Sequence, residues 1–184
     1  MDSLSASDPH YTKSMLQLIR LFVDISLWRK GPQDVPASGI VLVLAVLLYV
    51  GVSALQLAAS DQSSTRFLVG LVVDPLLIAG WIWVVLAIFG RRARFEQTVT
   101  AIFGTYALLS VLLLTLQVIQ NAFELPDALL TTSVLAWIIV FILVTGRIVM
   151  LALDRGLLTG AAVMVTYILA SFAVSSALAP GAAA

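Results

Sequence analysis

The chain has 184 residues, of which 61% are hydrophobic and only 11% are charged. This balance lies far outside that of soluble domains and excludes an ordinary soluble protein. The 10 basic and 10 acidic residues cancel, so the total charge indicates no nucleic-acid partner. With no cysteine and one histidine, the composition also excludes disulfides, thiolate chemistry and a zinc site of the usual ligands. We therefore expect an integral membrane protein without a metal or cofactor.

The first predicted element is an amphipathic helix in "YTKSMLQLIRLFVDISLWRK", ahead of the first long apolar run. Its polar residues recur at helical spacing on one narrow face, and apolar side chains cover the rest. Two placements remain open. The helix lies in the cytoplasmic membrane interface, with Arg20, Trp28, Arg29 and Lys30 as anchors, or it packs its wide apolar face against the bundle. The stretch "GPQDVPASG" then ends the helix and forms a hinge or linker.

Five apolar segments follow, each long enough to cross a bilayer core of about 30 Å at a helical rise of about 1.5 Å per residue. They are residues 39–58, 67–90, 98–120, 129–152 and 160–179. No stretch has the period-two alternation of a membrane strand, so a helical bundle is favoured over a barrel. We therefore predict an all-α integral membrane protein. A five-helix membrane domain, residues 39–179, lies between a cytoplasmic N-terminal segment, residues 1–38, and a short outer tail, residues 180–184.

The basic residues are distributed unevenly between the two sides of these spans. All but Arg66 fall in the N-terminal segment, after the second span, or around the end of the fourth. By the positive-inside rule, the N-terminus is cytoplasmic and the C-terminus lies outside. Long basic side chains at the end of a span reach the headgroups while their stems stay in the apolar layer. The predicted anchors on this side are Arg91, Arg92, Arg94 and Arg147.

Within the second span, the stretch "LVVDPLLIAG", residues 71–80, contains the charged residue Asp74 followed directly by the helix-breaking residue Pro75. A carboxylate at this depth needs a partner, water or a proton, because hydrocarbon does not solvate it. Arg147 is not the predicted partner, since it lies near the opposite surface, with about 14 Å of depth between the two backbones. Pro75 removes one backbone donor and frees the carbonyl of Leu71, which would neighbour the carboxylate of Asp74. These three residues form the candidate ion, proton or polar-network site.

Three interpretations of this site remain open. In the first, a broken helix faces a water-filled cavity, as in the cation and proton sites of transporters. In the second, Asp74 is an N-cap and the helix starts at Pro75. In the third, the helix is continuous but kinked, and Asp74 is hydrogen-bonded to a neighbour. The second and third are purely structural roles.

Catalytic motifs are absent: there is no nucleophile elbow, metalloprotease helix or phosphate-binding glycine loop. We therefore predict that the protein is not an enzyme. The mild polar residues of the third and fifth spans are interpreted as contacts between helices. Among them are Thr105, Tyr106, Ser110, Gln117, Tyr167 and Ser171. Small residues on the fifth span permit close packing against another helix.

Five closely spaced spans after a cytoplasmic segment resemble the Yip domain family of Rab-interacting membrane proteins and their bacterial relatives. The stretch "GRRARFEQTVTAIFGTYALLS", residues 90–110, is similar to that family's connection between its second and third spans. The Asp-Leu-Tyr-Gly-Pro type motif of eukaryotic members is absent, and "GTYALLS" stands where that family often has a proline. The resemblance therefore implies the fold and a bacterial inner, or plasma, membrane location, but no Rab binding and no catalytic residue.

The sequence favours a non-enzymatic interaction or membrane-organising role that resembles the role of Yip domain proteins. Its partners would be the lipid bilayer, a protein bound through residues 11–34, and a second copy of the chain in a homo-oligomer. The alternative is a small transporter or an ion- or proton-conducting protein that uses Asp74 at the proline-broken helix. The two functions differ in whether Asp74 exchanges an ion or a proton.

Overall fold

All the regular elements of the protein are helical in the part of the chain that the structure describes. The structure is a computed structural model, and it describes residues 9–58, 69–124 and 126–178. The α-helices are α1 (Pro9–Ser26), α2 (Gly39–Ala58), α3 (Asp74–Ile88), α4 (Phe95–Ala122), α5 (Asp127–Leu153) and α6 (Leu157–Leu178). A π-helical segment, Val69–Val73, leads directly into α3. Short 3-10 segments, Pro32–Asp34 and Arg92–Arg94, precede α2 and α4.

The prediction of an all-α chain with five spans is confirmed at the level of length and composition. Five helical segments are long and apolar enough to cross a membrane: α2, the π segment with α3, α4, α5 and α6. The first has the predicted bounds, and the others begin or end within a few residues of them. Residues 67, 68 and 179, Arg66 and the predicted tail lie outside the described residues. The orientation in the membrane stays a prediction.

Helix α4 is the central helix of the bundle. In its spanning window 61% of the residues are buried, against 17–33% in the other four spans. It contacts α1, α2, α3 and α5, whereas α6 packs chiefly on α5. The outer helices keep large apolar side chains exposed, such as Leu47 on α2 and Phe172 on α6. That pattern is expected of helices that face lipid on their outer side.

Helices α5 and α6 approach each other most closely at two glycines. A Cβ built on Gly160 would collide with the carbonyl oxygen of Gly146, and a Cβ on Gly146 would lie 3.0 Å from the backbone nitrogen of Ala161. Two backbones can meet this closely only where no side chain separates them. Gly160 is the second glycine of "GLLTG", which has the spacing of a membrane dimerisation motif. In this structure it packs within the chain.

Helix α1 packs against the bundle through one side of its apolar face. Leu21, Phe22 and Ile25 are buried in the core, and the ring of Phe22 lies directly over Gly104 of α4. Leu16 and Ile19 remain exposed. The buried residues of α1 therefore pack against the bundle, which was one of the two placements left open by the sequence. The interfacial placement of the exposed face stays a prediction.

The fit of Phe22 over Gly104 makes a testable prediction. A Cβ at Gly104 would overlap the ring, and the flexible end of that side chain must move away. We expect Gly104→Ala to loosen α1 while the spans stay folded, so that trypsin cleaves after Arg20 and Arg29 faster in nanodiscs. The matched control is Gly51→Ala on α2, because a Cβ there meets nothing within 4 Å. Equal cleavage of the two variants would contradict this packing.

The linker between α1 and α2 is fastened to the bundle instead of acting as a free hinge. Val35 is 1% exposed, and its carbonyl accepts a hydrogen bond of 3.0 Å from the Gln97 side chain on α4. Arg147 on α5 donates to the carbonyl of Lys30 at 2.9 Å. Within the linker, the backbone N–H of Gly31 donates to the Asp34 carboxylate at 2.8 Å. These bonds hold the start of α2 against α4 and α5.

Candidate functional site

The backbone is helical on both sides of Asp74. The π-helical segment Val69–Val73 runs into α3, Val73 has helical angles of φ −72° and ψ −42°, and no side-chain cap bond is made at this point. The interpretation of Asp74 as an N-cap is therefore wrong: the helix does not begin at Pro75. In a π segment the backbone hydrogen bonds join residues five apart instead of four. This change in hydrogen bonding comes directly before Pro75, which has no backbone N–H to donate. Leu71 lies within the π segment, and Pro75 is buried.

Three hydroxyl groups from two other spans surround the Asp74 carboxylate. Tyr49 of α2 donates to Oδ2 at 2.5 Å, and Tyr167 and Ser171 of α6 donate to Oδ1 at 2.7 and 2.9 Å. Tyr167 and Ser171 follow one another at a spacing of four, so they lie on the same face of α6. The carboxylate therefore joins α2, α3 and α6. We call these four residues the Asp74 cluster.

The cluster lies well inside the bundle. Tyr49 is near the midpoint of α2, about 15 Å from either end at the helical rise per residue, and Tyr167 is near the midpoint of α6. Both tyrosines are buried, and Asp74 is half-buried. A carboxylate at this depth loses most of its hydration, and the three donors replace part of it.

Aromatic rings enclose the Tyr49 side of the cluster. The Tyr49 ring contacts the rings of Phe103 and Tyr106 on α4, with centroid distances of 4.9 and 4.5 Å. Tyr106 in turn meets Trp137 and Phe141 of α5 edge to face. Rings in these arrangements pack densely and fix each other's orientation. They hold the Tyr49 hydroxyl at Asp74.

The chemistry of the cluster suits a group that gains and loses a proton. Three donors stabilise the charged carboxylate, because hydrogen bonds to an ionised group are the stronger kind. A hydroxyl both donates and accepts, so when the carboxyl takes a proton one of the hydroxyls can rotate and accept it. An arginine or lysine partner could not do this. The cluster can therefore remain hydrogen-bonded in both protonation states.

No ion pair involves Asp74 in the part of the chain that the structure describes. The four ion pairs there join Asp24 to Arg29 and Lys30, and Asp154 to Arg91 and Arg94. Residues 9–58, 69–124 and 126–178 also contain no group of three or more histidine, aspartate or glutamate side chains that could hold a metal ion. Arg147 is not a partner, as the sequence indicated. The described side-chain partners of Asp74 are hydroxyl groups.

The predicted basic anchors lie at the other end of the bundle from the exit of α2, in the loops and helix ends. Arg147 stacks over Trp28, with its guanidinium carbon 5.3 Å from the ring centroid, and Arg92 lies 5.1 Å from that of Trp83. Arg29 and Lys30 lie 4.0 and 3.8 Å from the Asp24 carboxylate. Arg20 is exposed on α1. Contact of these residues with lipid headgroups stays a prediction.

Arg91 and Arg94 bind the C-terminal end of α5, and both form ion pairs with Asp154. Arg94 donates to the carbonyls of Leu151 and Ala152 at 3.1 and 3.0 Å and to Asp154 Oδ1 at 3.0 Å. Arg91 lies 2.9 Å from Asp154 Oδ2. Asp154 has a left-handed backbone, with φ 52°, and ends the helix there. The connection between α3 and α4 is thereby tied to the connection between α5 and α6.

This tie should depend on pH. The hydrogen bond from Arg94, together with the charges of Arg94 and Arg91, holds the pKa of the Asp154 carboxyl below its usual value. A lowered folded-state pKa adds stability above the ordinary aspartate value of about 4, and the gain is lost as the pH falls through the lowered value. A nitroxide on Ala93→Cys should therefore become more mobile below a pH of about 4. With Asp154→Asn added, it should be mobile at every pH; pH-dependent mobility in that variant would contradict this tie.

Sequence reasoning found Asp74 but missed the composition of its cluster. Tyr167 and Ser171 were interpreted as general contacts between helices, and Tyr49 was not singled out. One signal was present: Tyr49 and Tyr167 are hydroxyl-bearing residues near the middle of their spans, where an intramembrane carboxylate would find a donor. Their convergence depends on how α2 and α6 pack on α3, and no local pattern gives this.

Comparison of the chain with models of known families, with curated proteins and with solved structures finds no match. The resemblance to Yip domain proteins is therefore neither supported nor contradicted, and it stays a prediction.

Proposed function

We propose that the protein is a small, non-enzymatic membrane transporter or conducting protein in which Asp74 reversibly binds a proton. The observation that supports this most is the hydrogen bonding of one carboxylate by Tyr49, Tyr167 and Ser171 deep in the bundle. An ionisable residue in a span is costly and usually marks a transported ion or proton relay. A π segment inside a helix is also frequent at functional sites. The N-cap role is excluded, and the remaining structural role, in which Asp74 only joins the helices by hydrogen bonds, predicts no flux.

The proposal includes an inner-membrane location with the N-terminus in the cytoplasm, as the distribution of basic residues predicts. It also includes a homo-oligomer, because five short spans enclose little pathway on their own. Small side chains on the outer face of α6 permit a second copy to approach. Exposed residues of this kind are Ala162, Thr166, Ala173 and Ala177.

Proton flux into liposomes tests the function. The purified chain is reconstituted, a pH gradient is imposed, and an internal pH-sensitive dye is followed. We expect flux above that of empty liposomes in the wild type, and loss of the excess in Asp74→Asn. The control is Asp34→Asn, which removes a carboxylate of the linker. Wild-type flux equal to that of empty liposomes would contradict the proposal, as would equal flux in wild type and Asp74→Asn. A parallel series with sodium and potassium gradients distinguishes a proton from a metal cation.

The second candidate is the interaction or membrane-organising role that resembles the role of Yip domain proteins. The observation that favours it is the packing of α1: with Phe22 and Ile25 buried, the outer face with Leu16 and Arg20 is held as a fixed surface. A photoreactive residue at Leu16 should then give a defined protein adduct in cells. The same probe at Leu158, which is 87% exposed on α6, is the control. Lipid adducts alone at Leu16 would indicate the interfacial placement and argue against a protein partner.

A further inference from the structure

A row of buried polar side chains continues from the Asp74 cluster along the interface of α2 and α4. On α2, Tyr49, Ser53 and Gln56 follow one another at spacings of four and three, and so lie on one face. On α4, Tyr106 and Ser110 are related in the same way. The Tyr49 and Tyr106 rings are 4.5 Å apart, and the Gln56 side chain donates to the carbonyl of Ser110 at 3.2 Å. Ser53 and Ser110 therefore lie in the interface between these two contacts.

The two serines are buried without a hydrogen-bond partner. Ser53 is 7% exposed and Ser110 is fully buried, and neither hydroxyl oxygen has a partner within hydrogen-bonding geometry among the described residues, although the Tyr106 hydroxyl is a neighbour of that of Ser110. Nearer the end of α4, the side-chain oxygen of Gln120 is likewise buried and unpartnered. Buried hydroxyls that lack a protein partner generally bind water, because an unpaired buried polar group is unfavourable. Ser53 and Ser110 both lie in the interface of α2 and α4, and Ser53 is one helical turn from Tyr49, which donates to Asp74.

We propose that Ser53 and Ser110 bind a row of internal water molecules that connects Asp74 with the end of the bundle where α2 ends. In this row Tyr49 donates its hydroxyl proton to Asp74 Oδ2 and takes a proton from the adjacent water, so the phenol stays neutral and the charge moves by one position. The water in turn is reprotonated from the next along the row. Gln56 and Gln120 supply amide groups towards the exit. The role of the row rests on the proposed function, but its presence can be measured without transport.

Cysteine accessibility provides the test, because the natural chain contains no cysteine. Single variants Ser53→Cys and Ser110→Cys replace each hydroxyl with a thiol of similar size. The controls are Ala101→Cys, fully buried on the face of α4 opposite Ser110, and Leu55→Cys, on the exposed face of α2. Each full-length variant is reconstituted in liposomes, and its reaction with a small water-soluble methanethiosulfonate is followed. Thermal unfolding checks that each is folded.

We expect the two serine positions to react at least about tenfold faster than either control, because only the thiolate reacts and an apolar environment suppresses it. Reaction no faster than at Ala101→Cys would overturn the proposal. If a variant does not fold, X-ray radiolysis of the wild type decides: a water row predicts oxidation of Tyr49, which is 1% exposed, and a dry interface predicts none. Fast thiol reaction without proton flux would keep the water row and reject the transport function. Flux without thiol reaction would reject the row alone.

Discussion

Replacement of Asp74 by alanine is expected to destabilise the folded bundle by at least about 2 kcal/mol, because it leaves buried hydroxyl donors without their acceptor. Tyr49, Tyr167 and Ser171 all lose the same acceptor. Asp74→Asn retains a side-chain oxygen that accepts hydrogen bonds, and we expect it to cost much less. The measurement is the free energy of unfolding in mixed detergent micelles, followed by circular dichroism.

A double-mutant cycle shows whether the cluster acts as a unit. Tyr49→Phe removes one donor, and Asp74→Ala removes the acceptor. If the two groups bond to each other, the double variant should be less destabilised than the sum of the single variants, since no unpaired Tyr49 hydroxyl remains. Strictly additive losses would mean that Tyr49 and Asp74 do not interact in the folded protein.

Replacement of Gly160 by alanine is expected to separate α5 and α6. The added methyl group would meet the carbonyl oxygen of Gly146, and backbone cannot move aside as a side chain can. Overpacking of this kind costs about 1–3 kcal/mol, which exceeds the gain of up to about 1 kcal/mol from replacing glycine in a helix. We expect a lower midpoint of unfolding in detergent.

Gly80→Ala on α3 is the matched control, because a Cβ there meets nothing within 4 Å. This change should leave the midpoint unchanged or raise it slightly through helix propensity. If Gly160→Ala unfolded at the same midpoint as Gly80→Ala, the close contact of α5 and α6 would not be present in the protein.

The spans could be predicted from the sequence because they depend on local quantities. Length and hydropathy gave α2 its bounds, and they placed the other helix ends within a few residues. The position of Phe22 over Gly104 could not be predicted, because the pattern of α1 allows both lipid and protein to cover its apolar side. The sequence left three interpretations open at Asp74; the backbone excludes the N-cap, and the hydrogen bonds match the helix in which Asp74 is bonded to its neighbours.

The composition of the Asp74 cluster is tertiary information. Tyr49 lies 25 positions from Asp74, Tyr167 lies 93 and Ser171 lies 97. Nothing in the stretch "LVVDPLLIAG" indicates that α2 and α6 pack on the same side of α3. The π segment before Pro75 also escapes prediction, since the apolar residues of Val69–Val73 fit an ordinary helix equally well. The candidate residue came from the sequence, and its chemistry came from the packing.

The most direct test of the central claim is infrared spectroscopy of the protein in lipid as the pH is changed. Reversible proton binding by Asp74 predicts that the band of a protonated carboxylic acid appears on acidification, disappears on return, and shifts in deuterated water. Because the chain has 10 acidic residues, other carboxyl groups contribute to this band in every variant; one component should be missing from Asp74→Asn and retained in Asp34→Asn. The contradicting result is a change in the spectrum on acidification that is identical in the wild type and in Asp74→Asn, since the carboxyl would then hold one protonation state and serve only to join the helices.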